Sequence, residues 1–76
     1  MTLADLQPGI DARIVSVDPH REGVMRLMVL GLVEGAPVRF RHAAIGGDPI
    51  EIEVMGAAIS VRRAQARWFQ LEVAHD

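Results

Sequence analysis

The sequence predicts a mainly β domain with about five short strands and one short α-helix. Glycine and proline recur at short intervals, so the segments between them have the length of strands in a small β-rich domain. Two of these segments alternate apolar and charged residues, which is typical of strands with one face in water. With 76 residues, the chain has room for a single domain, residues 1–76, around one modest core.

The composition narrows the class of protein further. Half of the residues are apolar and 24% are charged, which indicates a packed globular unit and not a disordered chain. Cysteine is absent, so neither disulfides nor a thiolate zinc site can stabilise the fold. The longest stretch without Asp, Glu, Arg or Lys is residues 54–61, far short of the ~20 apolar residues of a membrane-spanning helix. The start of the chain lacks the basic region of a signal peptide, and we expect a cytoplasmic protein without direct membrane insertion.

The charges and aromatic residues argue against two kinds of partner. Eight basic residues, all of them arginine, stand against ten acidic ones, which gives a net charge of −2. Nucleic-acid binding requires a basic patch, often with aromatic stacking platforms, and the only aromatic residues here are Phe40, Trp68 and Phe69. Nor can so few aromatic residues line a groove for proline-rich peptides. We therefore predict no nucleic acid, and we assign Trp68 to the core or its edge.

The first elements can be placed from local patterns. Thr2 and Asp5 have the spacing of a capping arrangement, which predicts a single helical turn that ends before Pro8. Residues 11–18, rich in isoleucine and valine, are predicted to be the first strand, and the pattern leaves open which of its faces is buried. A helix is predicted over residues 21–30, because the following Gly31 suits a left-handed cap.

The helix could present either of two faces to the core. Helical periodicity with Leu27 facing the core brings Val24 and Leu30 to the same side and turns Met25 and Val29 outward. In the alternative, the helix is rotated so that the core contains Met25, Met28, Val29 and Leu32.

The clearest pattern is a hairpin over residues 38–54. One register places Arg39 opposite Glu53 and Arg41 opposite Glu51, and it also brings Phe40 onto Ile52 and Val38 onto Val54. Residues 58–61 and 68–73 supply two further strands, separated by a helical turn over residues 62–67. Five strands and one short helix in a chain of this size predict a small, partly open β-barrel of the SH3-like kind.

Several segments together resemble the FeoA family. They are the stretches TLADLQPG at residues 2–9, LMVLGLVEG at 27–35 and GDPIEI at 47–52, followed by ISVRR at 59–63 and FQLEV at 69–73. The resemblance implies an SH3-like barrel that serves as a cytoplasmic accessory of the FeoB ferrous-iron transporter. The same module forms the carboxy-terminal domain of iron-dependent repressors. The sequence departs from the family at Ala44, where proline is usual, at the longer loop around Gly46-Gly47, and at Val29, where a polar residue is common.

Three hypotheses for the function follow. The first is a non-enzymatic protein that contacts the cytosolic part of a FeoB-type transporter, and the second is a free-standing relative of the repressor domain. The third is a small protein that binds a transition metal through His20, His42 or His75, of which His20 has a nearby carboxylate in Asp18. Solvated histidines are the ordinary interpretation. No spacing joins Ser16 or Ser60 to a histidine and an acid, so we predict neither an enzyme nor a bound cofactor.

The predicted contact surface is the outer face of the helix. An apolar spot rimmed by charges is a recurrent mark of docking sites, and methionine adapts to a partner's shape. The predicted set is Met25 and Val29 with Arg21, Glu22, Arg26 and, on the border, Met28. The same spot could instead pair with a second copy of the chain. A basic cluster of Arg62, Arg63 and Arg67 could meet an acidic patch or remain a solvated turn.

Two structural expectations complete the sequence analysis. Strand alternation and helix spacing predict that Phe40, Ile52, Leu27 and Leu30 share one core. We expect the loop over residues 43–48 to be the most mobile ordered segment, because two adjacent glycines increase its conformational freedom.

Overall fold

In the computed structural model, which describes residues 1–74, five antiparallel strands form one sheet. Around it lie an N-terminal 3-10 helix and two short α-helices. In chain order the elements are the 3-10 helix Leu3–Asp5, β1 (Asp11–Val17), α1 (Val24–Val29), β2 (Pro37–Ala43), β3 (Ile50–Val54), β4 (Ala57–Val61), α2 (Arg63–Ala66) and β5 (Phe69–Val73). The strand order is β4-β3-β2-β1-β5. The predicted elements are thus confirmed, with α1 shorter at both ends than expected.

The N-terminal segment covers one edge of the sheet. Thr2 forms a bridge with Gln70 of β5, and the Leu71 amide donates a hydrogen bond of 2.7 Å to the Met1 carbonyl. The Asp5 carboxylate accepts hydrogen bonds from both the amide and the hydroxyl of Thr2, at 2.9 and 3.1 Å, which stabilises the 3-10 turn. Leu3 and Leu6 of this segment are buried and belong to the hydrophobic core.

The β2–β3 hairpin contains a bulge that the sequence analysis missed. The predicted pairs Arg39–Glu53 and Phe40–Ile52 are present, but the register then shifts, and His42 instead of Arg41 lies opposite Glu51. The predicted register at Arg41 was therefore wrong, although the Arg41 Nε still lies 3.6 Å from Glu51 Oε1, so the two side chains form an ion pair. The extra residue of a bulge leaves the ladder locally unpaired and bends its strand, which alternation alone does not reveal.

One hydrophobic core fills the concave side of the sheet. Ile52 and Leu27 are fully buried, as predicted, whereas Phe40 is only half-buried and packs against the margin of the core. On β1 the buried residues are Ala12 and Ile14. The largest fully buried side chains are Phe69, Leu3, Leu6, Ile14, Leu27, Leu32, Ile50 and Ile52.

The end of α1 corrects the prediction that Leu30 belongs to the core. The Leu32 amide donates to the Leu27 carbonyl at 3.1 Å, and the Gly31 amide donates to the Met28 carbonyl at 3.0 Å. This is a Schellman motif, with Gly31 at a φ of 121°. The chain reverses there, so the side chain of Leu32 fills the core beside Leu27, and Leu30 is 50% exposed.

The turn between β3 and β4 holds a residue poorly suited to its backbone conformation. Met55 has a φ of 50° and Gly56 a φ of 80°, which are the left-handed values of a type I′ turn. Asparagine tolerates this conformation better than methionine does.

We expect Met55→Asn to raise the free energy of unfolding by about 0.5–1 kcal/mol, measured by chemical denaturation. Ile45→Asn, at an exposed loop residue, is the matched control and should have little effect; equal changes would contradict the assignment to backbone strain.

Candidate partner-binding surface

The outer face of α1 is apolar and exposed. Val29 is 82% exposed and Met25 57% exposed, and Leu30 extends this apolar surface at the end of the helix. Buried Val24 and Leu27 lie on the opposite side. The predicted orientation of the helix is confirmed for Met25 and Val29, and the rotated alternative, which buries both, is wrong.

Helix geometry explains the order of these exposures. At about 100° per residue, the direction midway between Val24 and Leu27 lies about 170° from Val29 and 130° from Met25. Val29 therefore projects directly away from the core and is the more exposed of the two. Met28 lies between the two faces and is half-buried against the core, as expected for a border residue.

Arg21, in the segment just before α1, is held by two side-chain contacts. Its Nε donates to Asp18 Oδ2 at 3.1 Å, and its guanidinium lies 4.0 Å from the centroid of the Trp68 ring. The guanidinium of Arg67 lies 4.9 Å from the same centroid, so two arginines contact the half-buried Trp68 ring through cation–π interactions. The backbone amide of His20 and the Arg21 guanidinium donate to Asp18 and lower the pKa of that carboxyl below its usual 3.8. Arg21 is thus held in place as a fixed positive charge.

The remaining members of the predicted set differ in their surroundings. Arg26 and Glu22 are exposed, and neither forms an ion pair within residues 1–74. Arg21 precedes α1 instead of belonging to it, because Gly23 takes a left-handed φ of 81° at the start of the helix. A Cβ added at Gly23 would collide with the side-chain amide of Gln65, so the Gln65 side chain of α2 extends to the start of α1.

The three arginines of the predicted basic cluster lie on α2 or directly beside it, and each has different contacts. Arg67 lies on Trp68, and Arg62 is exposed, whereas half-buried Arg63 connects distant segments. Arg63 donates from Nε to the Gly47 carbonyl at 2.7 Å and from a terminal nitrogen to the Ala4 carbonyl at 2.8 Å. Its backbone amide also donates to Asp48 Oδ1 at 3.0 Å. No sequence pattern distinguished Arg63 from its neighbour Arg62.

Arg63→Ala should lower the free energy of unfolding by about 1–3 kcal/mol, because two charge-assisted hydrogen bonds are lost. Arg62→Ala is the control and should change it by under about 0.5 kcal/mol. Amide exchange supplies a second measurement. Since Arg63 holds the carbonyl of Gly47, exchange in the wild type should be fastest around Ile45 and should spread to Gly47 and Asp48 in the Arg63 variant. Equal stabilities of the two variants would show that the contacts of Arg63 do not anchor the loop.

The histidines are placed on separate elements. His20 lies in the loop before α1 and His42 on β2, where its Nε2 is 2.9 Å from Glu51 Oε2, while His75 lies outside the described residues. Within residues 1–74, no group of three or more His, Cys, Asp or Glu side chains has the geometry to hold a metal ion. Ser16 and Ser60 are exposed on different strands, and neither has a hydrogen bond to a histidine among the described residues.

A recess of about 370 Å³ lies beside the starts of β1 and β2. Its walls include the ion pair between Arg39 Nε and Asp11 Oδ1, at 2.7 Å, and no aromatic residue. None of the predicted contact residues on α1 lines it. Within residues 1–74, none of the helices has the length and apolar character of a membrane span.

Comparison with known proteins identifies the class and then the family. The topology is that of a small SH3-like β-barrel domain, and a solved structure of the same fold, 28% identical, is described as a prokaryotic SH3 domain protein. The model of the FeoA domain matches residues 1–68. The chain therefore belongs to the FeoA domain family. A search of curated protein sequences found no match.

Three solved structures illustrate the similarity. FeoA from Chlorobium tepidum is 35% identical with a TM-score of 0.87, and the match covers 99% of this chain and 71% of that one. Iron(II) transport protein A from Clostridium thermocellum is 32% identical with a TM-score of 0.87, over 96% of this chain and 45% of that one. The chain thus spans less than half of that relative. FeoA from Stenotrophomonas maltophilia, solved with zinc, has a TM-score of 0.79 over 95% of this chain and 89% of that one.

Proposed function

We propose that this FeoA domain is a non-enzymatic accessory of ferrous iron uptake that binds the cytosolic part of a FeoB-type transporter. The family supports a role in ferrous iron transport, and the relative from Stenotrophomonas maltophilia is described as a candidate ferrous iron transport activating factor. The proposal places the protein in the cytoplasm, where that part of the transporter lies.

The observation that carries the proposal is the outward projection of Val29 beside Met25. A surface helix of a small domain usually presents polar residues to water, since apolar residues gain nothing there. Here Val29 is 82% exposed at the centre of the outer face, and Leu30 enlarges the apolar area. Contiguous exposed apolar surface is a feature of protein contact sites.

The charges around this surface indicate what the partner must present. Arg26 places an exposed positive charge next to Met25 on α1, and Arg21, held by Asp18 and Trp68, adds a second one just before the helix. A complementary partner surface has an apolar centre with carboxylates at its rim. Exposed charges at a rim act mainly on the association rate, so the affinity should come from Met25 and Val29.

Binding of the wild-type chain to the purified cytosolic domain of its transporter tests the proposal. Isothermal titration should give a saturable 1:1 complex, and surface plasmon resonance should give an association rate that falls as salt is raised, because the rim is charged. The variant Arg26→Gln, which removes one positive charge from the rim, should lower the association rate constant and leave the dissociation rate constant nearly unchanged. Absence of saturable binding at the highest attainable concentrations would contradict the proposed function.

A further inference from the structure

The two edge strands of the sheet, β5 and β4, differ in whether another segment pairs with them. β5 is covered along its outer edge by Met1 and Thr2, through the bridge to Gln70 and the hydrogen bond from Leu71. β4 ends the other side of the sheet, with β3 as its neighbour. Within residues 1–74, no hydrogen bond joins the backbone of β4 to any segment other than β3.

The geometry of the β3–β4 hairpin identifies which backbone groups are free. The turn has two residues and left-handed values at both, so the closing pair Val54–Ala57 is a hydrogen-bonded pair. Hydrogen-bonded and non-hydrogen-bonded pairs alternate along an antiparallel ladder. Ala58 and Ser60 occupy the non-hydrogen-bonded positions, so their N–H and C=O groups point away from β3 toward the free edge.

This edge has none of the usual protection against pairing. Proteins blunt sheet edges with charged side chains, proline or bulges. The sequence of β4 is AAISV, without charge or proline, and its ladder with β3 runs through five pairs with no register shift. In contrast, both the β1–β5 and the β2–β3 ladders contain irregularities.

We infer that two copies of this chain associate through antiparallel pairing of their β4 edges, about a two-fold axis at Ile59. This axis places Ala58 of each copy opposite Ser60 of the other, so that each free N–H meets a free C=O. The next pair joins Arg62 to Gly56 of the second copy, so no like charges face each other across the contact. A two-fold axis requires this kind of self-complementarity, and β4 supplies it with a uniform, uncharged edge.

The size of the contact sets its expected strength. A strand of five residues with small exposed side chains buries much less than the ~800 Å² per partner of a standard interface. The association should therefore be weak, with a dissociation constant on the order of 0.1–1 mM. The contact uses β4 and leaves the outer face of α1 outside the pairing.

Sedimentation equilibrium between about 20 µM and 2 mM tests the inference, with the range chosen to bracket the expected dissociation constant. The wild type should pass from monomer to dimer over this range. The variant Ala58→Lys with Ser60→Lys should weaken dimerisation by at least about tenfold, because lysines then face lysines in both pairs. Within each copy the new lysines lie opposite Glu53 and Glu51, so the variant should stay folded.

The control is Glu34→Lys, which changes the net charge by the same amount at an exposed turn. It should dimerise like the wild type. Amide exchange adds a local measurement, since the amides of Ala58 and Ser60 should exchange more slowly as the wild-type concentration rises. A wild type that stays monomeric up to about 2 mM would overturn the inference. So would a double-lysine variant that dimerises as tightly as the wild type, which would locate the contact elsewhere.

Discussion

Replacing Leu27 by alanine is expected to lower the free energy of unfolding by about 2–5 kcal/mol. Leu27 is fully buried, and its carbonyl accepts the hydrogen bond from Leu32 that closes α1. The substitution removes apolar contacts and leaves a cavity between α1 and the sheet, which a rigid core fills only in part. A domain of 76 residues has roughly 4–11 kcal/mol of stability in total, so the variant should melt at a much lower temperature.

Leu30→Ala provides a matched control, since it is the same chemical change three residues away. Leu30 is 50% exposed and lies outside the core, so its truncation should cost under about 1 kcal/mol. Urea denaturation of both variants measures the difference. If the two losses are similar, the assignment of Leu30 to the surface is wrong.

Changing Met25 and Val29 together to glutamate is expected to weaken binding to the transporter's cytosolic domain by at least about 100-fold. Each substitution places a charge where an apolar contact would be desolvated, and truncation of a hot-spot residue alone costs 2 kcal/mol or more, about 30-fold. The fold should survive, because both side chains project into water. The melting temperature should therefore change by only a few degrees.

The strands and the hairpin could be predicted because their physical cause is local. Alternating apolar and charged residues from Val38 to Phe40 and from Ile50 to Val54 specify which face of each strand is buried. The outward position of Val29 followed in the same way from helical periodicity. These are properties of neighbouring residues, so the sequence contains them directly.

The features that could not be predicted depend on contacts between distant segments. The bulge at Arg41 makes His42 instead of Arg41 the cross-strand neighbour of Glu51, although the alternation of residue types is unbroken. Leu30 has the spacing of a core residue, but the chain reverses at Gly31 and Leu32 takes the buried place. Arg63 contacts Ala4, 59 residues away, and local sequence carries no sign of such a contact.

The uncovered edge of β4 also became visible only from the topology. The sequence predicts a short strand over residues 58–61, but the position of this strand at the end of the strand order depends on how all five strands pair. The cover on β5, formed by Met1 and Thr2, depends on the same tertiary arrangement.

The most direct test of the central claim is a calorimetric titration of the transporter's cytosolic domain with the wild type and with Met25→Glu, Val29→Glu. A control variant, Ala44→Glu with Ile45→Glu, introduces the same two charges at exposed residues of the β2–β3 loop. We predict saturable binding for the wild type and the loop variant, and a loss of at least about 100-fold for the folded helix variant. A folded helix variant that binds as tightly as the wild type would contradict the claim that the outer face of α1 is the contact surface.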